Sequence, residues 1–310
     1  MGSGFYSTAT YNAVAGTRVA TGTTFGYHAK TSMSDRPVAH ESLDVKRLNS
    51  EGKNIRESRD SAEHPVSKPM VIGFDQTGSM GTIPHEMVTK LKSVFGMTVD
   101  KGISDVQVAI AAYGDADNGE YVPLQFSQFE SDNRVDNCLD NLYLEGYGGG
   151  NNGETSNLLW YYLAYHTETD SFEKRGVKGK VYMIADEKQL PITASHIQKY
   201  IGEEPQGPLG FEAIAAAATE KWDITVLLVD NNSAKWQRSE EFYKGLLGPD
   251  NVIVLQGTDN IPDIIAGLFA YDMGVDETEI IDGLSDSKTV ALRVGNAIKQ
   301  RKSRSGVALR

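Results

Sequence analysis

The sequence predicts an α/β fold, a doubly wound and mostly parallel sheet flanked by helices. Three observations lead there. Five short apolar runs, Met70–Phe74, Val106–Tyr113, Val181–Ala185, Ile224–Val229 and Val252–Leu255, are continuous rather than alternating, as strands covered on both faces are. Stretches with helical spacing separate them, the pattern of crossover connections between parallel strands. The runs Met70–Phe74 and Val181–Ala185 lead directly into the carboxylates Asp75 and Asp186, and the carboxyl ends of such strands are where open sheets carry ligands.

Residues 1–66 precede the first run and read as an N-terminal arm or extended wrap. Residues 1–34 are rich in Gly, Ser, Thr, Ala and Tyr, with only Arg18 and Lys30 charged, whereas 35–69 are dense in charge. Tyr6, Tyr11, Val14, Phe25 and Tyr27 are apolar anchors that suit packing on this chain or on a partner. After the first run, Thr82 suits an N-cap and Pro84 a first helical turn. Ile83, Met87, Leu91, Val94 and Phe95 then share one helical face. Further helices are expected at about 155–167, 192–202, 210–220, 238–247 and 259–271. The domain so built spans 67–275. Beyond it, 276–310 reads as a helical extension with a basic tail.

Bulk properties narrow the function. The chain has 310 residues, 40% hydrophobic and 23% charged, an ordinary globular composition. A net charge of −12 disfavours general nucleic-acid binding. Residues 287–310 carry seven basic residues and no acid, so the rest of the chain stands at −19 (−12 minus 7). That tail reads as a solvated helix end. Cys138 is alone, which excludes an intrachain disulfide and a thiolate zinc site, and it reads as a small buried hydrophobe. With no signal-peptide pattern and no membrane-length apolar run, the expected compartment is the cytoplasm.

The segment Asp75-Gln-Thr77-Gly-Ser79 offers one carboxylate and two hydroxyls at alternating positions, with Gly78 and Gly81 allowing a tight turn. Three hard oxygen donors on one loop suit Mg²⁺ or Mn²⁺. One loop does not fill such a shell, and two other places offer oxygens: Glu154 or Thr155, after the loop Gly146-Tyr-Gly-Gly-Gly-Asn-Asn-Gly, and Asp186. Asp75 and Asp186 converge if their strands are neighbours. Asp115 and Asp117 read as turn residues, and His85, His166 and His196 lack ligand spacing.

These residues resemble the von Willebrand factor A domain, a Rossmann-like fold, over about 67–275. Asp75-Gln-Thr77-Gly-Ser79-Met80 is similar to the family's Asp-x-Ser-x-Ser motif, with Thr replacing the first Ser. Val108–Tyr113 followed by Gly114-Asp115 resembles its second-strand signature, and Ile184-Ala-Asp186 its Thr-Asp-Gly, with different flanking residues. Asp259-Asn-Ile261 with Ile264, Ile265, Leu268 and Phe269 resembles its final helix. The resemblance implies a metal-ion-dependent adhesion site that binds a partner's carboxylate, with no catalysis. It also implies an intracellular adaptor or assembly factor, for which an AAA+ ATPase is a possible partner class. The family's Gly-Gly-x-Thr form points to Thr155 as ligand; Asn151-Asn-Gly-Glu154 is closer to the integrin β form and favours Glu154.

Three other readings are open to these residues. Gly148–Gly153 matches GxGxxG, but no clean strand feeds it and no ribose-binding acid follows. Asp-Gln-Thr-Gly-Ser resembles the phosphorylation loop of haloacid-dehalogenase-type phosphotransferases, with Asp75 as nucleophile, yet Gln76 and Thr77 stand where a Lys and a general acid belong. A structural subunit whose arm wraps a neighbour is compatible with the composition.

Overall fold

The structure, a computed structural model, describes residues 4–13, 26–77, 94, 95, 98, 101–145, 153–230, 235–284 and 287–305. Ser79, His85, the glycine-rich loop through Asn152 and most of the helix expected after Thr82 lie outside the described residues. Val94 and Phe95 of that helix are helical and buried.

The described strands are β1 (Arg56–Ser58), β2 (Lys68–Asp75), β3 (Val106–Tyr113), β4 (Leu124–Phe126), β5 (Thr167–Thr169), β6 (Gly179–Ala185), β7 (Trp222–Asp230) and β8 (Val252–Gln256). All five apolar runs are therefore strands. The main sheet has the order β4-β3-β2-β6-β7-β8, parallel except for β4. From β2 the chain moves outward through β3 to β4, then returns to the other side of β2 for β6, β7 and β8. The order reverses between β2 and β6, at the crevice where doubly wound sheets hold ligands. The three-residue strands β1, β4 and β5 have no period long enough to read from sequence. β1 and β5 pair in parallel as a separate two-stranded sheet.

Side chains alternate between two cores, as a pleated strand requires. Met70, Ile72, Phe74, Val108 and Ile110 face one core, and Val71, Ala109, Ala111 and Tyr113 the other. The described helices include α1 (Gly26–Thr31), α2 (Arg134–Asp140), α3 (Asn157–Tyr165), α4 (Asp170–Arg175), α5 (Phe211–Lys221), α6 (Lys235–Leu247), α7 (Ile261–Asp272), α8 (Glu277–Asp282) and α9 (Lys288–Ser305), and a short helical stretch, Ala194–His196 continued by Ile197–Ile201, precedes α5. Every residue of α3 from Asn157 to Ala164 is buried, against the second face of the sheet and α5. A Cβ on Gly73 would lie 2.7 Å from Leu159 Cδ2, so the glycine in β2 lets α3 close onto the sheet.

The last segment is two helices. Val294, Ala297 and Ile298 of α9 enter the first core beside α7. Gln300 pairs both backbone groups of Val254, covering edge strand β8 with bonds of 3.0 and 3.0 Å. Arg301 forks onto Asp272 at 3.0 and 2.9 Å and reaches Thr225, so part of the basic tail is fixed structure rather than solvated surface.

The described part of the arm docks on its own chain. Gly4 O accepts from His64 Nε2 and Ser131 Oγ, Asn133 pairs both backbone groups of Ser7, and Tyr6 stacks on Phe95. Arg56 is buried and donates to the carbonyls of Asp44, Arg47 and Phe126. Cys138 is buried in the first core, and burial pushes its thiol up to about 12. Among the described residues no helix is long and apolar enough to cross a membrane.

Candidate functional site

β2 lies between β3 and β6, with Asp75 opposite Tyr113 and Phe74 opposite Ile184. Asp186 follows β6 directly, so Asp75 and Asp186 emerge side by side at the crevice. Asp75 is 1% exposed. Its Oδ1 accepts from the backbone N–H of Thr77 at 2.7 Å, which turns the chain away from the sheet, while its Oδ2 is buried without a donor. Thr77 and Asp186 are also buried.

The second loop arrives through backbone bonds. Glu154 N–H donates to Lys188 O (3.1 Å) and Glu154 O accepts from Leu190 N–H (2.7 Å), tying it to the segment after Asp186. A Cβ on Gly153 would lie 2.8 Å from Lys188 O, so the glycine before Glu154 is what permits this approach. The two ligand candidates on this loop have different hydrogen-bond partners. The Thr155 hydroxyl donates to Gly114 O (3.0 Å) and accepts from Ala116 N–H (2.8 Å), so it fastens α3 to the loop after β3. Glu154 keeps a buried Oε2 with no donor. Asp115 caps the turn Ala116–Asn118, His166 is buried between Asn54 O and Glu203, and His196 closes a capping box with Thr193.

The electrostatics are those of crowded acids. Burial, then the charge of Asp186, pushes Asp75 up to about 8. Burial, then the charge of Asp75, pushes Glu154 up to about 10. Among the described residues no Lys, Arg or His forms an ion pair with Asp75 or Glu154. Buried anionic oxygens without a donor call for a proton or a cation. The donors are all hard oxygens, so the residues fit Mg²⁺ or Mn²⁺. Among the described residues no three His, Cys, Asp or Glu side chains gather closely enough to hold an ion alone. Hydroxyl and water oxygens belong in such a shell, and Ser79 is outside the described residues.

Sequence reasoning missed a buried polar network beside Asp75. Gln76 Nε2 donates to Glu120 Oε2 (3.2 Å) and Val122 O (2.8 Å), and Gln125 bridges Gln76 Oε1 and Tyr143. Burial pushes Glu120 up to about 8. Glu120 and Glu145 sit in irregular connections, where no period in the sequence marks a residue as buried.

No family model matches the chain, and no curated protein does. Among solved structures it is similar to the pilus adhesin SpaC of Lactobacillus rhamnosus GG in its open conformation, with TM-score 0.46 and 11% identity over 70% of this chain and 30% of that one. It is similar to a von Willebrand factor type A protein of Catenulispora acidiphila, with TM-score 0.39 and 14% identity over 68% and 43% of the two chains. It is also similar to proximal thread matrix protein 1 of the mussel byssus, with TM-score 0.39 and 12% identity over 64% and 44%. The chain spans less than half the length of each.

Proposed function

We propose that this chain is a protein-binding domain that holds Mg²⁺ or Mn²⁺ at the carboxyl ends of β2 and β6 and binds, without catalysis, an acidic side chain of a partner protein. The observation that carries the reading is the pair of buried oxygens, Asp75 Oδ2 and Glu154 Oε2, that meet no donor at the crevice where the strand order reverses. Asp75, Thr77 and Ser79 supply the first loop, Glu154 the second and Asp186 the third. When bound, the ion supplies a Lewis-acidic position for a carboxylate. The Asp75–Thr77 turn holds one carboxylate oxygen back from solvent and leaves the other for the ion. Thr155 anchors the second loop so that Glu154 stays oriented. Binding is the expected outcome because no nucleophile–base pair accompanies the carboxylates among the described residues: Gln76, beside Asp75, is committed to Glu120 and Val122. An AAA+ ATPase is a partner class that the family resemblance alone implies.

Calorimetric titration of chelator-treated protein with Mg²⁺ and Mn²⁺, beside Asp75→Asn, tests the reading. Saturable binding that disappears in the folded variant is the expected result. Equal binding by both proteins would reject Asp75 as a ligand.

A further inference from the structure

Gln189 buries an amide that nothing satisfies. The residue is 1% exposed, and both ends of its carboxamide, Oε1 and Nε2, lie buried without a hydrogen-bond partner. An unpaired buried amide is costly, so its presence points to a group that the site brings to it. The backbone identifies the neighbour. Glu154 N–H donates to Lys188 O and Leu190 N–H donates to Glu154 O, which makes Glu154 and Gln189 partners across a parallel bridge. Paired residues of a parallel bridge carry their side chains on the same face, about 5 Å apart. The Gln189 amide therefore stands beside the Glu154 carboxyl, whose Oε2 is also buried without a donor. The segment is held from α6 as well, because the Tyr243 hydroxyl donates to Glu187 O at 3.0 Å.

We propose that Gln189 is a positioning residue of the metal site: its Nε2 donates to one oxygen of the Glu154 carboxylate and holds the other toward the ion. The proposal rests on the metal-binding reading given above. A carboxylate that ligates a metal is itself steadied by a hydrogen-bond partner, and loss of such a partner typically costs about 10–100-fold in metal affinity. The Thr155 hydroxyl is engaged with Gly114 O, and no Lys, Arg or His pairs with Glu154 among the described residues. A neutral amide suits this place better than a Lys or Arg, whose charge would repel the ion. Oε1 is left to accept from a water of the ion's shell.

The test measures Mg²⁺ affinity by calorimetry and stability by urea unfolding in chelator. It compares the full parent chain with Gln189→Met, Glu154→Gln and the double variant. Gln189→Met keeps the side-chain length and removes both unpaired groups. It is expected to be at least as stable as the parent in chelator, yet to bind Mg²⁺ about tenfold or more weakly. A merely structural glutamine would give the opposite split. Because Gln189 acts through Glu154, the double variant is expected to bind Mg²⁺ no more weakly than Glu154→Gln alone. If Gln189→Met does not fold, Gln189→Asn, which withdraws the amide by one carbon, should show the same loss of affinity. A folded Gln189 variant with the parent's Mg²⁺ affinity would overturn the proposal, as would penalties that add in the double variant. A parent chain that binds no Mg²⁺ would instead overturn the metal-binding reading, and this proposal with it.

Discussion

Replacing Asp75 with Asn is expected to stabilise the metal-free protein, although it removes a ligand of the proposed function. Asn keeps the Oδ1 that accepts from Thr77 N–H and discards only a carboxyl that burial and the charge of Asp186 keep protonated. Burial and Asp186 raise the Asp75 carboxyl from 3.8 to about 8. The folded chain therefore binds more protons than the unfolded chain between those values, and stability falls as pH rises through that window. At pH 7, about three pH units above the unfolded value, keeping this site protonated in the folded chain costs about 4 kcal/mol. Because Asp186 and Glu154 share the repulsion, a gain of about 2–4 kcal/mol is expected for Asp75→Asn. The assay is urea unfolding in chelator at pH 5, 7 and 8.5. The parent should lose stability across that series, and the variant should lose less. Saturating Mg²⁺ should restore the parent and leave the variant unmoved, since a ligand stabilises only the state that binds it. A variant less stable than the parent in chelator at pH 8.5 would refute the reasoning and make the Asp75 carboxylate a structural cap.

Further outcomes follow from the same geometry. Thr155→Val should destabilise the fold by about 1–3 kcal/mol, because Gly114 O and Ala116 N–H lose their shared partner, yet retain Mg²⁺ binding. Glu154→Gln should weaken Mg²⁺ about tenfold or more with little loss of stability in chelator, and calorimetry on the two variants separates the ligand from the anchor. Arg301→Ala leaves the half-buried Asp272 carboxylate with the Tyr182 hydroxyl but without its guanidinium and should cost about 1–3 kcal/mol by urea unfolding. Cys138, raised to about 12 by burial, should stay unreactive toward an aromatic disulfide reagent at pH 8 until the chain is unfolded.

The five central strands were legible because strands covered on both faces are spelled as continuous apolar runs, and Val108–Tyr113 is buried at every position. Asp75 and Asp186 were legible because each directly follows such a run. Their adjacency was not, since it depends on β6 returning to the far side of β2, a matter of topology rather than local sequence. The different hydrogen-bond partners of Glu154 and Thr155 also lay beyond the sequence. Both precede the same helix, and only the contacts of Thr155 with Gly114 and Ala116 show that its hydroxyl is engaged elsewhere. Gln300 is ordinary in sequence, and its role in covering β8 exists only once α9 is packed. The arm's aromatic residues announced that it would pack; which surface it meets is fixed by Asn133, His64 and Ser131, far away in the chain.

The central claim is that Asp75, Thr77, Ser79, Glu154 and Asp186 surround one divalent ion. Crystals grown or soaked with Mn²⁺ and measured at a wavelength where manganese scatters anomalously test it most directly. One anomalous peak within coordination distance of Asp75 and the Ser79 hydroxyl, absent from crystals of Asp75→Asn, is the expected result. A diffraction map with no peak at the β2–β6 crevice at saturating Mn²⁺ would contradict the account.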